Sequence, residues 1–320
     1  MKGKRTTRAI MLDVCAALLP ALAAAAWYFG PRALAVTAIS VGSCVLLEFV
    51  SRLVMKRPQT VGDCSAAVTG LLLAFNLPPS IPLWMVPIGA AAAIVVVKQM
   101  FGGIGQNFVN PAIAARIVLM VSFAEKMTTW TQPAGGKFRW AADAVASATP
   151  MQALSHGQLP PESLLDMLLG NRGGSLGECC ALALLLGAVY LCLRRVITPL
   201  IPAVYIGTVA LFAFLAGGFD GRFALYEALG GGLLLGACFM APDYSTSPLY
   251  PKGKLVYALG CGLLTGMIRF YGNMPEGVSF AILLMNLLVP LIENMTAPKA
   301  FGKKTGKEEK GNGKEKRNAG

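Results

Sequence analysis

Ten apolar runs recur along the chain, at roughly 10–29, 33–50, 62–77, 82–101, 109–124, 177–193, 196–216, 223–241, 254–271 and 277–294. A membrane-spanning helix needs about 20 mainly apolar residues. The repetition therefore points to an all-α polytopic membrane protein of about ten transmembrane helices. Composition agrees: 55% of the 320 residues are apolar and 14% charged, against roughly 25% charge in a soluble domain. The third, fifth and eighth runs are the weakest, being short or broken by Gly and Pro. The single histidine, His156, disfavours a haem cytochrome with paired imidazole ligands.

The formal charge of +12 is concentrated at the two ends. Lys2, Lys4, Arg5 and Arg8 precede the first run without an acid, and eight Lys/Arg follow Pro298 against Glu308, Glu309 and Glu315. No base-reading or aromatic module accompanies these tails, so nucleic acid is not an expected partner. Cationic loops mark the cytoplasmic face of a membrane protein. With both termini inside, the inner set of loops and tails holds 19 Lys/Arg and the outer set 7. That tally assigns Arg52 to the inner loops and Arg172 and Arg269 to the outer ones. It predicts a bacterial inner-membrane protein in contact with lipid, with both termini cytoplasmic.

The expected organisation is a basic N-terminus (1–9), a five-helix half (10–124), an extracytoplasmic insert (125–176), a second five-helix half (177–296) and a disordered basic tail (297–320). GLLLAFNLPPSIP at 70–82 is echoed by GLLLGACFMAPDYSTSP at 232–248. Five helices per half would invert the second copy, and such repeats place broken helices around a midplane site.

Two stretches should break their helices. One runs from Lys98 through Gly102, Gly103, Gly105 and Asn107 to Asn110-Pro111; the other from Ala241 through Pro242 and Asp243 to Pro248. Backbone freed in lipid must pair within protein or around a ligand. Lys98, directly after Ile94-Val95-Val96-Val97, and Arg116, Asp243, Asn107 and Asn110 are the candidate lining groups, since polar groups at membrane depth seek a partner or a cavity. For the asparagines, satisfying the broken helices is an equal alternative. Glu48, Glu178, Glu227, Glu276 and Glu293 read as snorkelling or capping residues near span ends. The eight cysteines form no CxxC pair and predict no metal site; adjacent Cys179 and Cys180 read as opposite faces of one helix.

Within the insert, Asp143-Ala144-Val145-Ala146-Ser147-Ala148-Thr149-Pro150 is a small-residue run ending in a hydroxyl fixed by proline. Close backbone approach and esterification at Thr149 are one reading; a helix N-cap ahead of Pro150 is the other.

The strings GDCSAAVTGLLLAFNLPPSIP at 62–82, VVVKQMFGGIGQNFVNPAIAARIVL at 95–119 and the stretch from Ala241 to Glu293 resemble one family. It is the membrane-protein family shared by the D subunit of Rnf electron-transport complexes and the B subunit of sodium-pumping NADH:quinone reductases. Thr246-Ser247-Pro248 is similar to the Rnf branch. The resemblance implies an ion-translocating ferredoxin:NAD+ oxidoreductase component with FMN joined through its phosphate to a threonine, in a motif D-x-x-[S/T]-G-A-T. That threonine is Thr149, with Asp143 and Ala148 matching; Ala146 and Ser147 depart from the motif. Lys98 would lie near the flavin ring or phosphate, with Asn107, Asn110, Arg116 and Asp243 also cofactor-lining and no residue catalytic on its own. A second flavin such as riboflavin, a flavin transferase for maturation and the other Rnf subunits as partners follow from the same resemblance. A stand-alone solute channel with no redox cofactor is the competing expectation.

Overall fold

The computed structural model describes residues 6–131, 149–155, 157–272 and 277–298, and among these the regular elements are all helical. The first half holds α1 (Thr7–Phe29), α2 (Pro31–Val54), α3 (Ser65–Phe75), α4 (Met85–Gln99), α5 (Pro111–Ser122) and the short α6 (Ala124–Met127). The insert contributes α7 (Pro150–Ser155) and α8 (Leu164–Leu169). The second half holds α9 (Ala181–Leu193), α10 (Leu200–Ala216), α11 (Gly221–Leu229), α12 (Leu233–Met240), α13 (Pro251–Tyr271) and α14 (Val278–Thr296).

Each of the ten apolar runs contains a helix, but the helices differ in kind. Among the described residues α1, α2 and α14 are long and apolar enough to cross a membrane, and α11 with α12 makes a fourth candidate bent by 63°. The three weak runs prove to be the short or bent elements. α3, with 11 residues, and α5, with 12, reach only about 16–18 Å at 1.5 Å per residue, half a bilayer core. Asn110 starts α5 by accepting from the Ala112 and Ile113 N–H groups, with Pro111 in the first turn. The bend between α11 and α12 falls on Gly230, Gly231 and Gly232, of which Gly231 adopts φ +47°.

Close backbone approaches build the core. Gly70 of α3 lies against Val41 of α2, where a β-carbon would stand 2.7 Å from Val41 Cα, and Ser40 Oγ donates to the Gly70 carbonyl at 2.7 Å. Gly187 of α9 abuts the Ala17 carbonyl of α1. One end of that antiparallel pair is tied by Asp13, which accepts from Tyr190 and Arg194. One apolar core runs through both halves, and a smaller one joins Met151, Leu154 and Met167 of the insert to Phe223 and Tyr226 of α11. Two stretches are wound as π-helix, 92–99 in α4 and 236–240 in α12. Each precedes one of the two breaks expected from sequence, and π-turns concentrate at functional sites.

Candidate functional site

α2 turns a stripe of small and polar residues inward: Thr37, Ser40, Cys44, Glu48, then Ser51 and Arg52. Glu48 is fully buried, and its Oε2 meets the Lys98 ammonium at 2.8 Å. Lys98 stands in the last turn of α4, where the helix dipole favours a cation. Its Nζ also donates to Ser65 Oγ at 2.6 Å, and Ser65 donates in turn to Asp63 Oδ1 at 2.6 Å. Thr60 donates to the other Glu48 oxygen at 2.6 Å. The result is a hydrogen-bonded chain from half-buried Thr60 and Asp63 to a buried ammonium.

That ammonium opens on a cavity of about 90 Å3 beside the first turns of α1, between α3, the end of α12 and both broken stretches. Lys98, Asn107, Asn110 and Asp243 all line it, so four of the residues singled out from sequence converge there. Asn110 is spent on structure: besides capping α5, its Nδ2 donates to the Met240 carbonyl at 3.3 Å. Asn107 is different, being buried with Oδ1 unpartnered. Asp243 accepts from Ser245 Oγ at 2.9 Å and from the Ser245 N–H at 3.3 Å.

Arg116 and Thr149 stand elsewhere. Arg116 Nη1 donates to Asn76 Oδ1 at 2.7 Å, and Glu178 is its neighbour across Gly232, where a β-carbon would meet Glu178 Oε1 at 3.0 Å and Arg116 Nη1 at 3.6 Å. Glu178 is delivered there because the Leu176 and Gly177 N–H groups pair with carbonyls at the end of α3. Close by, Arg269 Nη1 meets Glu227 Oε2 at 2.8 Å and also takes the Glu227 carbonyl, while Nη2 takes the Gly230 and Gly231 carbonyls. Arg172 donates to the Glu178 and Leu229 carbonyls. Met151, two residues after Thr149, packs onto Gly230 and Gly231 beside Arg269.

α1 measures the separation. Ile10, Met11 and Val14 line the cavity, whereas Tyr28 meets the insert at Gly170 beside Cys179. Val14 and Tyr28 stand about 21 Å apart along α1 at 1.5 Å per residue. The expected single site is thus two sites: Lys98 belongs to an ion pair at one end, and Thr149 lies with the insert at the other. The tally of loop charges needs the same revision. Arg52, Arg172 and Arg269 are buried, as are Glu48, Glu178 and Glu227, because each finds a partner inside the protein or packs against its backbone. Cys179 and Cys180 lie ahead of α9, not within it, and all eight cysteines are free. Among the described residues no three His, Cys, Asp or Glu could hold a metal.

Asp143, Ser147, Ala148 and Glu276 lie outside the described residues. Thr149 is buried and immediately precedes Pro150 of α7, the position of an N-cap. Its N–H donates to Gln152 Oε1 at 3.3 Å, one half of a capping box. The Gln152 N–H takes the Thr149 carbonyl at 2.9 Å, so the reciprocal bond to the hydroxyl is not made. Capping therefore does not consume the oxygen that a phosphoester requires, and the residue fits covalent attachment.

The family model described as NQR2, RnfD, RnfE matches residues 1–302. The chain belongs to that family. The D subunit of the Na+-translocating ferredoxin:NAD+ oxidoreductase complex of Acetobacterium woodii is 46% identical over 305 residues, covering 94% of this chain and 93% of the relative. The D subunit of the proton-translocating ferredoxin:NAD+ oxidoreductase complex of Clostridium ljungdahlii is 41% identical over 307 residues, 92% and 91% of the two chains. The D subunit of the ion-translocating oxidoreductase complex of Stutzerimonas stutzeri is 39% identical over 327 residues, 92% of each. As a member of the NQR2, RnfD, RnfE family, the chain spans nearly the whole length of these relatives.

Sequence reasoning missed Glu48, Glu227 and Arg269. A usable signal was present: α2 and α13 bury small and polar residues at helical spacing, ending at Arg52 and Arg269 respectively. On a lipid-facing helix such a stripe marks the inward face.

Proposed function

We propose that this chain is the D-type membrane subunit of an ion-translocating ferredoxin:NAD+ oxidoreductase complex, working with the complex's other subunits to couple electron transfer to Na+ or H+ translocation. The observation that carries the reading is the family match over residues 1–302, with complex subunits as full-length relatives. We place it in the bacterial inner membrane, with both termini cytoplasmic and the insert outside. Ten segments form two inverted halves in this reading. Its support is the repeated packing order: α2 packs on α3 and α4, and α4 on α5, as α10 packs on α11 and α13, and α13 on α14.

FMN attached by a flavin transferase to Thr149 is part of the proposal. A bound flavin supplies one- and two-electron chemistry. The chain's own part is to present the hydroxyl and hold it in place. Pro150 fixes the start of α7, Met151 seats it against Gly230 and Gly231, and Arg269 locks those glycine carbonyls. At the other end of α1, Lys98 and Glu48 keep opposite charges at membrane depth next to a polar cavity. In-gel flavin fluorescence of the denatured protein, wild type beside Thr149→Ala, tests the attachment. The expected result is a fluorescent wild-type band and a dark variant. Fluorescence in both, or in neither, overturns it.

A further inference from the structure

The start of α13 runs against the rule for helix ends. A helix N-terminus carries partial positive charge and favours acids in its first turn. α13 has none there; Lys252 and Lys254 occupy that turn instead. Tyr250, just ahead of it, supplies no side-chain cap, which leaves the Lys252 and Gly253 N–H groups without a capping acceptor. Positive groups are thus gathered where an anion belongs, and such local conflicts persist chiefly at functional sites. We propose that this end of α13 binds the phosphate of an anionic phospholipid, whose acyl chain follows the outward face of the helix.

A cavity of about 100 Å3 opens beside this turn. Lys254, Ser247 and Thr198 line it, with Val196, Ile201 and Leu249 as apolar wall. Ser247 is only 8% exposed, and its hydroxyl has no partner among the described residues. A buried donor left unpaired is costly, and a phosphate oxygen would satisfy it. Lys252, Lys254 and the exposed Arg195, one residue before Val196, have no carboxylate partner among the described residues. Glu293 comes near, but its Oε1 accepts from the Leu249 N–H at 2.9 Å and it does not line the cavity.

The surroundings select a lipid over a soluble anion. Tyr244, Leu249 and Tyr250 are exposed around the mouth, the aromatic and apolar groups that settle at a bilayer interface. Leu255, Leu259, Leu263 and Met267 follow on α13 at four-residue intervals, all of them exposed. They form one apolar stripe that starts beside Lys254 and runs about 18 Å at 1.5 Å per residue. An acyl chain would cover that stripe, whereas inorganic phosphate would use none of it. Basic groups at the membrane surface attract anionic lipid in the same way. Pro242 and Tyr244 line both this cavity and the one beside Lys98. The proposal rests on the membrane placement of the chain and is independent of the flavin reading at Thr149.

The test is native mass spectrometry of the full-length chain in detergent, titrated separately with dioleoylphosphatidylglycerol, dioleoylphosphatidylcholine and inorganic phosphate. Phosphatidylglycerol should saturate one adduct at concentrations where the other two bind little. Lys254→Gln should weaken that adduct about fivefold, the worth of one cation near a headgroup, and Ser247→Ala should weaken it too. Arg222→Gln, removing an exposed cation at the start of α11, should leave it as tight as in wild type. Without lipid, Lys254→Gln should melt no lower than wild type, since it removes a cation from a helix N-terminus. The site is overturned by a phosphatidylglycerol affinity that Lys254→Gln or Ser247→Ala leaves unchanged, or that Arg222→Gln lowers equally. Equal binding of phosphatidylcholine or free phosphate overturns it as well, as does a Lys254→Gln chain that melts lower without lipid.

Discussion

Among the described residues, two buried ion pairs share their length and burial and differ in what surrounds them. Lys98–Glu48 and Arg269–Glu227 are both 2.8 Å long and no more than 2% exposed. In each the cation sits in the last turn of a long helix, α4 or α13, where the dipole favours it. Arg269, however, takes three backbone carbonyls besides its carboxylate. Lys98 takes one hydroxyl and faces a cavity. A planar guanidinium is suited to locking several acceptors at once, and an ammonium on a flexible stem to changing partners. The same pair of charges is thus clasped by backbone carbonyls at the glycine bend and left beside a cavity at the other end.

The largest test of that contrast is Arg269→Met. It strands the Glu227 carboxylate and unpairs the glycine carbonyls, costing about 3–5 kcal/mol or more. Folded yield should collapse. Lys98→Met should fall at the lower end, about 3 kcal/mol, because the adjoining cavity admits water. Equal losses would erase the distinction between the two pairs. Gly231→Ala probes the clasp more gently. Gly231 sits at φ +47° with Met151 and Arg269 against it, and an L-residue there costs about 1–2 kcal/mol. Limited proteolysis should then cut near α7 sooner, while the cavity end is unaffected.

The smallest effect is expected from Ser163→Ala in the insert. The Ser163 hydroxyl, at 2.6 Å, and its N–H hold the Asp166 carboxyl below the usual carboxylate range. A depressed carboxyl contributes stability above its unfolded pKa and loses it as pH falls through the lower folded value. Removing the hydroxyl should raise the Asp166 pKa toward the ordinary value and weaken that acid dependence. An unchanged titration of Asp166 by NMR would show that the cap does not set it.

Much of the fold was readable from sequence because lipid imposes a simple rule on length and polarity. All ten apolar runs contain helices, and the Gly and Pro interruptions marked α3, α5 and the α11–α12 bend as the short or broken ones. The pairing of charges was not readable. Glu48 and Lys98 are 50 residues apart and Glu227 and Arg269 are 42 apart. A lone carboxylate near a span end looks the same whether it snorkels or is buried. Lys98 stood out because four apolar residues precede it, whereas Glu48 was visible only through the helical phase it shares with Ser40 and Cys44. The division of the expected site has a similar cause. Residues linked by one motif family were grouped as one place, and only the length of α1 separates Lys98 from Thr149.

That separation is the claim on which the rest stands, and covalent flavin reports on it directly. In-gel fluorescence should be compared for wild type, Thr149→Ala and Asn107→Ala, the last a cavity change that strands no partner of Asn107 Oδ1. Two separate sites predict a dark Thr149→Ala band and an Asn107→Ala band as bright as wild type. A folded Asn107→Ala protein without fluorescence would contradict the separation, as would a bright Thr149→Ala band the attachment.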